Sequence, residues 1–207
     1  QNDCGQLGLG IDDKNVSKPS ICIELKGEPI ISIACGFSHT LCLSSTGLLF
    51  AAGSNKKGQL GLSSLNDQKQ FKIVTSMSNV FIKSVTACTN YSAAIDEFGT
   101  LYVWGGRWGS SPQAFATDED EKVVDVALGL DGRIAALTNR NKLILTGFYV
   151  NDSQVSQVVQ IFSPMNFLKV FSGGEFFFVL TLHSKSSNFL CFDQCKKEGI
   201  GNSGKIL

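Results

Sequence analysis

Apolar residues in this chain come in short runs that break at small or polar residues, and the breaks follow a pattern. One stretch reads Ile33-Ala34-Cys35-Gly36-Phe37-Ser38-His39-Thr40-Leu41-Cys42-Leu43, turns at Gly47, and continues Leu48-Leu49-Phe50-Ala51-Ala52-Gly53. Val85 to Ile95, a turn at Gly99 and Leu101 to Gly105 repeat it. So do Val126 to Leu137 with Asn141 and Leu143 to Gly147, and Val170 to Leu180 with Phe189 to Phe192. Each unit predicts strand, tight turn, strand. Runs rich in Val, Ile, Leu and Phe suit strands buried on both faces. The turns carry Thr46-Gly47, Phe98-Gly99 and Arg140-Asn141, and Gly and Asn tolerate the positive φ that a two-residue hairpin turn demands. Helix signals are weak throughout. The acidic run Asp118 to Glu121 reads as a solvated loop. Val170 to Leu182 is the nearest approach to a membrane span, but Glu175 interrupts it and it falls short of the roughly 20 apolar residues a spanning helix needs.

The repeats decide the architecture. Equivalent positions Leu43, Ile95, Leu137 and Leu180 are 52, 42 and 43 residues apart. A second element recurs in the same register: Asn2-Asp3-Cys4-Gly5-Gln6-Leu7-Gly8, Asn55-Lys56-Lys57-Gly58-Gln59-Leu60-Gly61 and, more loosely, Cys195-Lys196-Lys197-Glu198-Gly199-Ile200-Gly201. Units of about 40–50 residues with about four strands each are the signature of a β-propeller, whose blades stack around an axis. The expectation is an all-β chain, one propeller domain over residues 1–207, with four-stranded blades near 31–62, 82–109, 123–150 and 168–203.

Composition narrows the function classes. The 207 residues carry 18 basic and 18 acidic side chains, for no net charge. Binding to chromatin or nucleic acid normally needs a basic excess to neutralise phosphates, so neither is expected. No basic amphipathic stretch suits a membrane surface. Hydrophobic residues at 43%, with 21 glycines and only 4 prolines, fit an ordered, turn-rich β protein. The 7 cysteines form no CxxC pair, so they make neither a disulfide framework nor a zinc site. Cys191 and Cys195 with His183 are the only cluster, and 2 histidines in the whole chain leave too few metal ligands. Reduced cysteines point to the cytoplasm or nucleus. The residues given suggest no signal peptide, and they open on Gln1 rather than on an initiating Met. The three Asn-x-Ser matches at Asn15, Asn90 and Asn151 are therefore set aside.

The string A-C-G-x-x-H-T-L-x-L, a turn, a strand ending in Gly, then N-x-x-G-Q-L-G, resembles the regulator of chromosome condensation repeat. Residues 31–62 match closely and residues 1–10 match the tail of a preceding unit. Residues 82–109 keep the strands but carry Cys88 and Tyr91 where the repeat has Gly and His, and residues 123–150 and 168–203 match in strand pattern only. The resemblance implies a propeller that usually has seven blades, of which about four are present. It thus implies a partial propeller, and with it two uncovered blade faces, because an array opened at both ends leaves its terminal faces bare. The family's founding member is an exchange factor for the small GTPase Ran. Exchange needs no covalent step, only tighter binding of the nucleotide-free GTPase. Members use acidic and histidine side chains in the G-x-x-H turns of one face. Only His39 matches that histidine; Tyr91, Arg133 and Phe176 stand at its equivalents, and Asp131 and Glu175 are the only acids in those turns. The founding member's basic chromatin-binding tail has no counterpart here.

Catalytic motifs are missing. No Ser-His-Asp set can be built from His39 and His183, and there is no P-loop, HExxH or strand-to-helix GxGxxG. No catalytic residue, metal or cofactor is expected. The candidate partner-binding residues are His39, Asp131, Glu175 and Trp108. His39 also has a structural reading, as a hydrogen-bonding residue at a strand entry. Trp104 reads as core. Trp108 either packs under its loop or stands out as an interface anchor. Lys56-Lys57 and Lys196-Lys197 form a modest basic edge or simply solvated loop charge. Two functions remain in view: a non-enzymatic scaffold that presents loops to protein partners, and an exchange factor for a Ran-like small GTPase.

Overall fold

The computed structural model describes residues 1–146, 159–162, 166–174, 176–183 and 186–192. Among these described residues, fifteen strands form four antiparallel meanders, each in simple sequence order. The first sheet is β1 (Ile30–Cys35), β2 (His39–Ser44), β3 (Leu49–Gly53) and β4 (Gln68–Ile73). The second is β5 (Ile82–Cys88), β6 (Tyr91–Asp96), β7 (Leu101–Trp104) and β8 (Gln113–Ala114). The third is β9 (Val123–Leu128), β10 (Ile134–Thr138), β11 (Lys142–Thr146) and β12 (Val159–Phe162). The fourth has three strands among the described residues: β13 (Asn166–Ser172), β14 (Phe177–His183) and β15 (Ser186–Phe192). Among the described residues, helical structure is confined to three short 3-10 turns. The all-β, four-stranded-blade expectation holds. The chain divides into two compact units, Gln1–Ala116 with the first two sheets and Thr117–Leu207 with the last two. The third Gly-x-Gly loop, Cys195 to Gly201, lies outside the described residues.

In unit 1 the core lies between the sheets. Leu41, Leu43, Leu49 and Ala51 of the first sheet meet Ile82, Ala94 and Trp104 of the second, with Val85 and Ala87 packed at the edge. Unit 2 repeats the arrangement, with Ala135, Leu137, Leu143 and Leu145 against Val170, Phe177 and Val179. Central strands buried on both faces explain the unbroken apolar runs of β2, β3, β10 and β11. Residues 1–29 run beside β4, where Leu9 bridges Gln70. They also supply Cys22 and Leu25 to a smaller cluster of Cys42, Phe50, Ala52 and Phe71.

One irregularity recurs in every sheet. The first strand carries an extra residue near its start: Ile31 between the paired Ile30 and Ser32, Lys83 between Ile82 and Ser84, Val124 between Val123 and Asp125, and Leu168 between Phe167 and Lys169. Each bulged side chain is exposed. A bulge bends its strand and raises the local twist, and here it does so at one point of every blade.

The hairpin turns differ from expectation. The loop Ser45-Thr46-Gly47 has three residues, not two: Gly47 N–H donates to Ser44 O at 3.1 Å and Ser44 N–H donates to Leu48 O at 3.0 Å. Gly99 and Asn141 close equivalent turns, with φ of 81°, 87° and 57° at the three positions. A type I turn followed by a left-handed residue produces this loop. The positive-φ residue was read correctly from the sequence and the loop length was not. A polar side chain holds each turn. Asp96 Oδ1 accepts from Phe98 N–H at 2.9 Å and Thr100 N–H at 2.8 Å, Ser44 Oγ accepts from Leu48 N–H at 3.1 Å, and Thr138 Oγ1 accepts from Arg140 N–H at 3.3 Å.

The acidic run is a loop, but it is not simply solvated. The buried ammonium of Lys142 donates to Glu121 Oε2 at 2.9 Å and to Asp118 Oδ2 at 2.7 Å, and the Glu121 side chain is itself buried. Burial alone would raise Glu121, yet the Lys142 ammonium and a Thr138 hydrogen bond hold its carboxyl below the usual glutamate value.

Candidate interaction site

Two kinds of loop build one rim of unit 1: the turns that enter the second strand of each sheet, and the N-x-x-G-Q-L-G loops. The loop motif forms the same clamp twice. Asn2 Oδ1 accepts from Leu7 N–H and Asn55 Oδ1 from Leu60 N–H, both at 3.0 Å. Gln6 Oε1 accepts from Cys4 N–H at 3.0 Å and Gln59 Oε1 from Lys57 N–H at 2.9 Å. The glutamine's own carbonyl then receives a hydroxyl from the sheet that follows: Thr40 to Gln6 O and Ser92 to Gln59 O, both at 2.7 Å. Asn and Gln recur in the motif because each side chain satisfies a loop N–H. They leave the glutamine carbonyl free to tie the loop to its neighbour.

His39 sits inside this network. It is 1% exposed, and its Nε2 lies 2.9 Å from Ser92 Oγ. The single Ser92 proton goes to Gln59 O, so the hydroxyl accepts from His39, which fixes the Nε2–H tautomer. Trp104 Nε1 donates to the same Gln59 carbonyl at 2.9 Å. Burial pushes the His39 pKa down to about 4, and the nearby Thr89 carbonyl offsets only part of that. That carbonyl already accepts Phe37 N–H at 3.0 Å, and His39 Nδ1 has no hydrogen-bond partner among the described residues. His39 is therefore a neutral, positioning residue with no surface to offer a partner. Gly36 makes room for it, since a Cβ there would strike the imidazole and crowd Thr89 O.

The turns are also stitched together by their backbones. Phe37 N–H donates to Thr89 O in unit 1, and in unit 2 the equivalent Leu130 N–H donates to Gly174 O, both at 3.0 Å. Side chains at the turn tips point outward. Phe37 is 82% exposed. Asp131 is exposed in unit 2 and pairs with Arg133 at 3.1 Å. Glu175 lies outside the described residues. Trp108 is half-buried; it packs edge-to-face on Phe115 at 6.2 Å with the Arg107 guanidinium 5.7 Å over its ring. Its loop joins the clamp through Gly106 N–H to Lys57 O at 2.7 Å. Lys56 and Lys57 are exposed. Trp104 is fully buried, as read from the sequence.

Sequence reasoning missed Gln59, Ser92 and Phe37. Thr40 and Ser92 occupy one repeat position, and a hydroxyl kept there opposite a recurring Gln is the signal that would have found the clamp. Among the described residues, no group of three His, Cys, Asp or Glu side chains could hold a metal ion.

Profiles of the regulator of chromosome condensation (RCC1) repeat match residues 1–43 and 30–59. The Arabidopsis thaliana ultraviolet-B receptor UVR8 is 32% identical over 154 residues, 69% of this chain and 34% of the receptor. This chain belongs to that repeat family. The human X-linked retinitis pigmentosa GTPase regulator is 39% identical over 105 residues, 50% of this chain and 10% of that protein. The chain thus spans from a tenth to a third of the length of these relatives. Saccharomyces cerevisiae Prp20p matches in structure with a TM-score of 0.77 at 22% identity, covering 93% of this chain and 52% of that one. Human WBSCR16 matches with a TM-score of 0.77 at 18% identity, covering 93% and 55%. These structures share the β-propeller fold with this chain.

Proposed function

We propose that the chain is a non-enzymatic protein-interaction module, working in the cytoplasm or nucleus, that presents its turn-lined rim to a protein partner. One observation carries the reading: a buried polar network and inter-turn backbone bonds hold the rim rigid, while Phe37 stands out from it with no apolar cover. A rigid scaffold under an exposed aromatic tip lowers the ordering cost of association. The neutral overall charge favours a protein over chromatin or nucleic acid as that partner. Among the described residues, no helix is long and apolar enough to cross a membrane. Cross-linking mass spectrometry on the tagged chain tests the reading. Phe37→Ser should remove a defined set of cross-linked partners while the fold survives, and an unchanged set would contradict it.

A second reading, exchange on a Ran-like small GTPase, has its own support. The Prp20p structure is described with that protein's binding to Gsp1p and histones, and one relative is named as a GTPase regulator. In this reading Asp131, an exposed acid in a strand-entry turn, is the contact. Asp131→Ala should then slow nucleotide release.

A further inference from the structure

The x-x pair of the N-x-x-G-Q-L-G loop is the part of the clamp that the fold leaves open. In the first copy the pair is Asp3-Cys4 and in the second it is Lys56-Lys57. The Asn and Gln bonds of the two clamps nevertheless match within 0.1 Å. In the second clamp the bonds of the pair run through backbone atoms: Lys57 N–H donates to Gln59 Oε1, and Lys57 O accepts from Gly106 N–H. Both lysine side chains are exposed. The clamp therefore has no need of a positive charge at either position.

The two lysines border an aromatic strip within unit 1. The Gly106 bond draws the loop 105–112 against the clamp, where Ser63 N–H donates to Ser110 O at 3.1 Å. The Tyr91 ring lies on Gly106, where a Cβ would strike it. Trp108 follows, half-buried, with the Arg107 guanidinium over its ring. On the other side Gln59 Nε2 donates to Asn90 Oδ1 at 3.3 Å, and Thr89 O holds the N–H of the exposed Phe37. Residues 54–62, 89–91 and 105–112 carry Lys56, Lys57 and Arg107 and no acid, in a chain of zero net charge. The next acid along the clamp loop, Asp67, accepts from Asn55 N–H at 2.7 Å.

Building on the reading that the rim binds a protein, we propose that this strip recognises an acidic peptide segment that also carries an aromatic or large aliphatic side chain. The carboxylates face Lys56 and Lys57, and the apolar group seats against Tyr91 and Trp108. Complementary charge across an interface speeds association and rejects partners of like charge, while Trp, Tyr and Arg are the side chains most enriched among interface hot spots. Three cations neutralise too few phosphates to hold a nucleic acid at physiological salt, so a peptide is the occupant.

Selection from a random peptide library displayed on phage, against the 207-residue chain, tests this. Sequences rich in Asp and Glu with an aromatic or large aliphatic residue should dominate. The leading sequence, made as a fluorescein-labelled peptide, should bind in an anisotropy titration. Its affinity should fall about tenfold from ~0.1 M to ~1 M salt, as the screening length drops from about 10 to 3 Å. Lys56→Asp combined with Lys57→Ser should also weaken it about tenfold, with an unchanged circular dichroism melt. Lys26→Asp, at an exposed lysine outside the strip, should bind like the wild type. No enriched sequence, enriched neutral or basic sequences, indifference to salt, equal loss with Lys26→Asp, or equally tight binding of a labelled oligo-dT strand would each overturn the proposal. Cross-linking separates it from the reading beneath it. Partners lost with Phe37→Ser but kept by the lysine double variant would leave the rim reading standing and overturn the acidic partner. Partners kept by both would overturn the rim reading itself.

Discussion

At the scale of single residues, buried polar groups are the ones with measurable consequences. His39 is neutral in the folded chain, with a pKa of about 4 against the ordinary 6.5. Because the folded value is the lower one, the unfolded chain takes up the proton first as pH falls. The resulting stability is fully present above pH about 6.5 and is lost between there and about 4, with a ceiling of about 3 kcal/mol. Urea midpoints should fall across that window in the wild type and fall less in His39→Gln. An equal slope in both would show that the imidazole is not responsible. Ser92→Ala leaves Nε2–H without its acceptor and Gln59 O with only the Trp104 indole as donor, which should cost about 1–3 kcal/mol. Ser92→Thr, the residue that Thr40 supplies one repeat earlier, should recover part of it in the same denaturation assay. Asp96→Ala removes two turn hydrogen bonds from a buried carboxylate site and should lower stability by about 1–3 kcal/mol. A midpoint unchanged by that substitution would mean the turn closes without its side chain.

At the scale of elements, a hidden ion pair braces the third sheet. Lys142 begins β11 with a side chain 3% exposed and meets Glu121 just before β9. Removing one member strands the other in the interior, so Lys142→Met should destabilise by about 3–5 kcal/mol. The double variant Lys142→Met with Glu121→Leu should regain most of that, because a buried pair replaced by apolar residues is often neutral. A double variant as unstable as the single one would show that Lys142 acts through other contacts. This pair also marks a limit of sequence reading. Strands and turn residues were legible because apolar runs and Gly or Asn placement follow from local chain physics. The burial of Glu121 was not legible, since it depends on a lysine 21 residues away that reads as an ordinary surface charge. The bulges at Ile31, Lys83, Val124 and Leu168 were equally silent, since they share no residue type and only strand pairing exposes them.

At the scale of the whole molecule, the repeat spacing was the most informative feature of the sequence, and it led directly to a propeller of four-stranded blades. The candidate site was only partly legible. The G-x-x-H pattern located the rim, but it drew attention to a histidine that faces inward, while the exposed side chain is Phe37. Which way a side chain faces in such a turn depends on the neighbouring sheet, here on Ser92 and the Gln59 carbonyl. Trp108 is half-buried and braced by Phe115 and Arg107. The central claim is that this rim binds a protein partner without promoting nucleotide exchange. Stopped-flow release of fluorescent GDP from a Ran-type GTPase tests that claim most directly. The account predicts a rate equal to spontaneous release at every concentration of the chain. Acceleration that rises with concentration and is abolished by Asp131→Ala would contradict it.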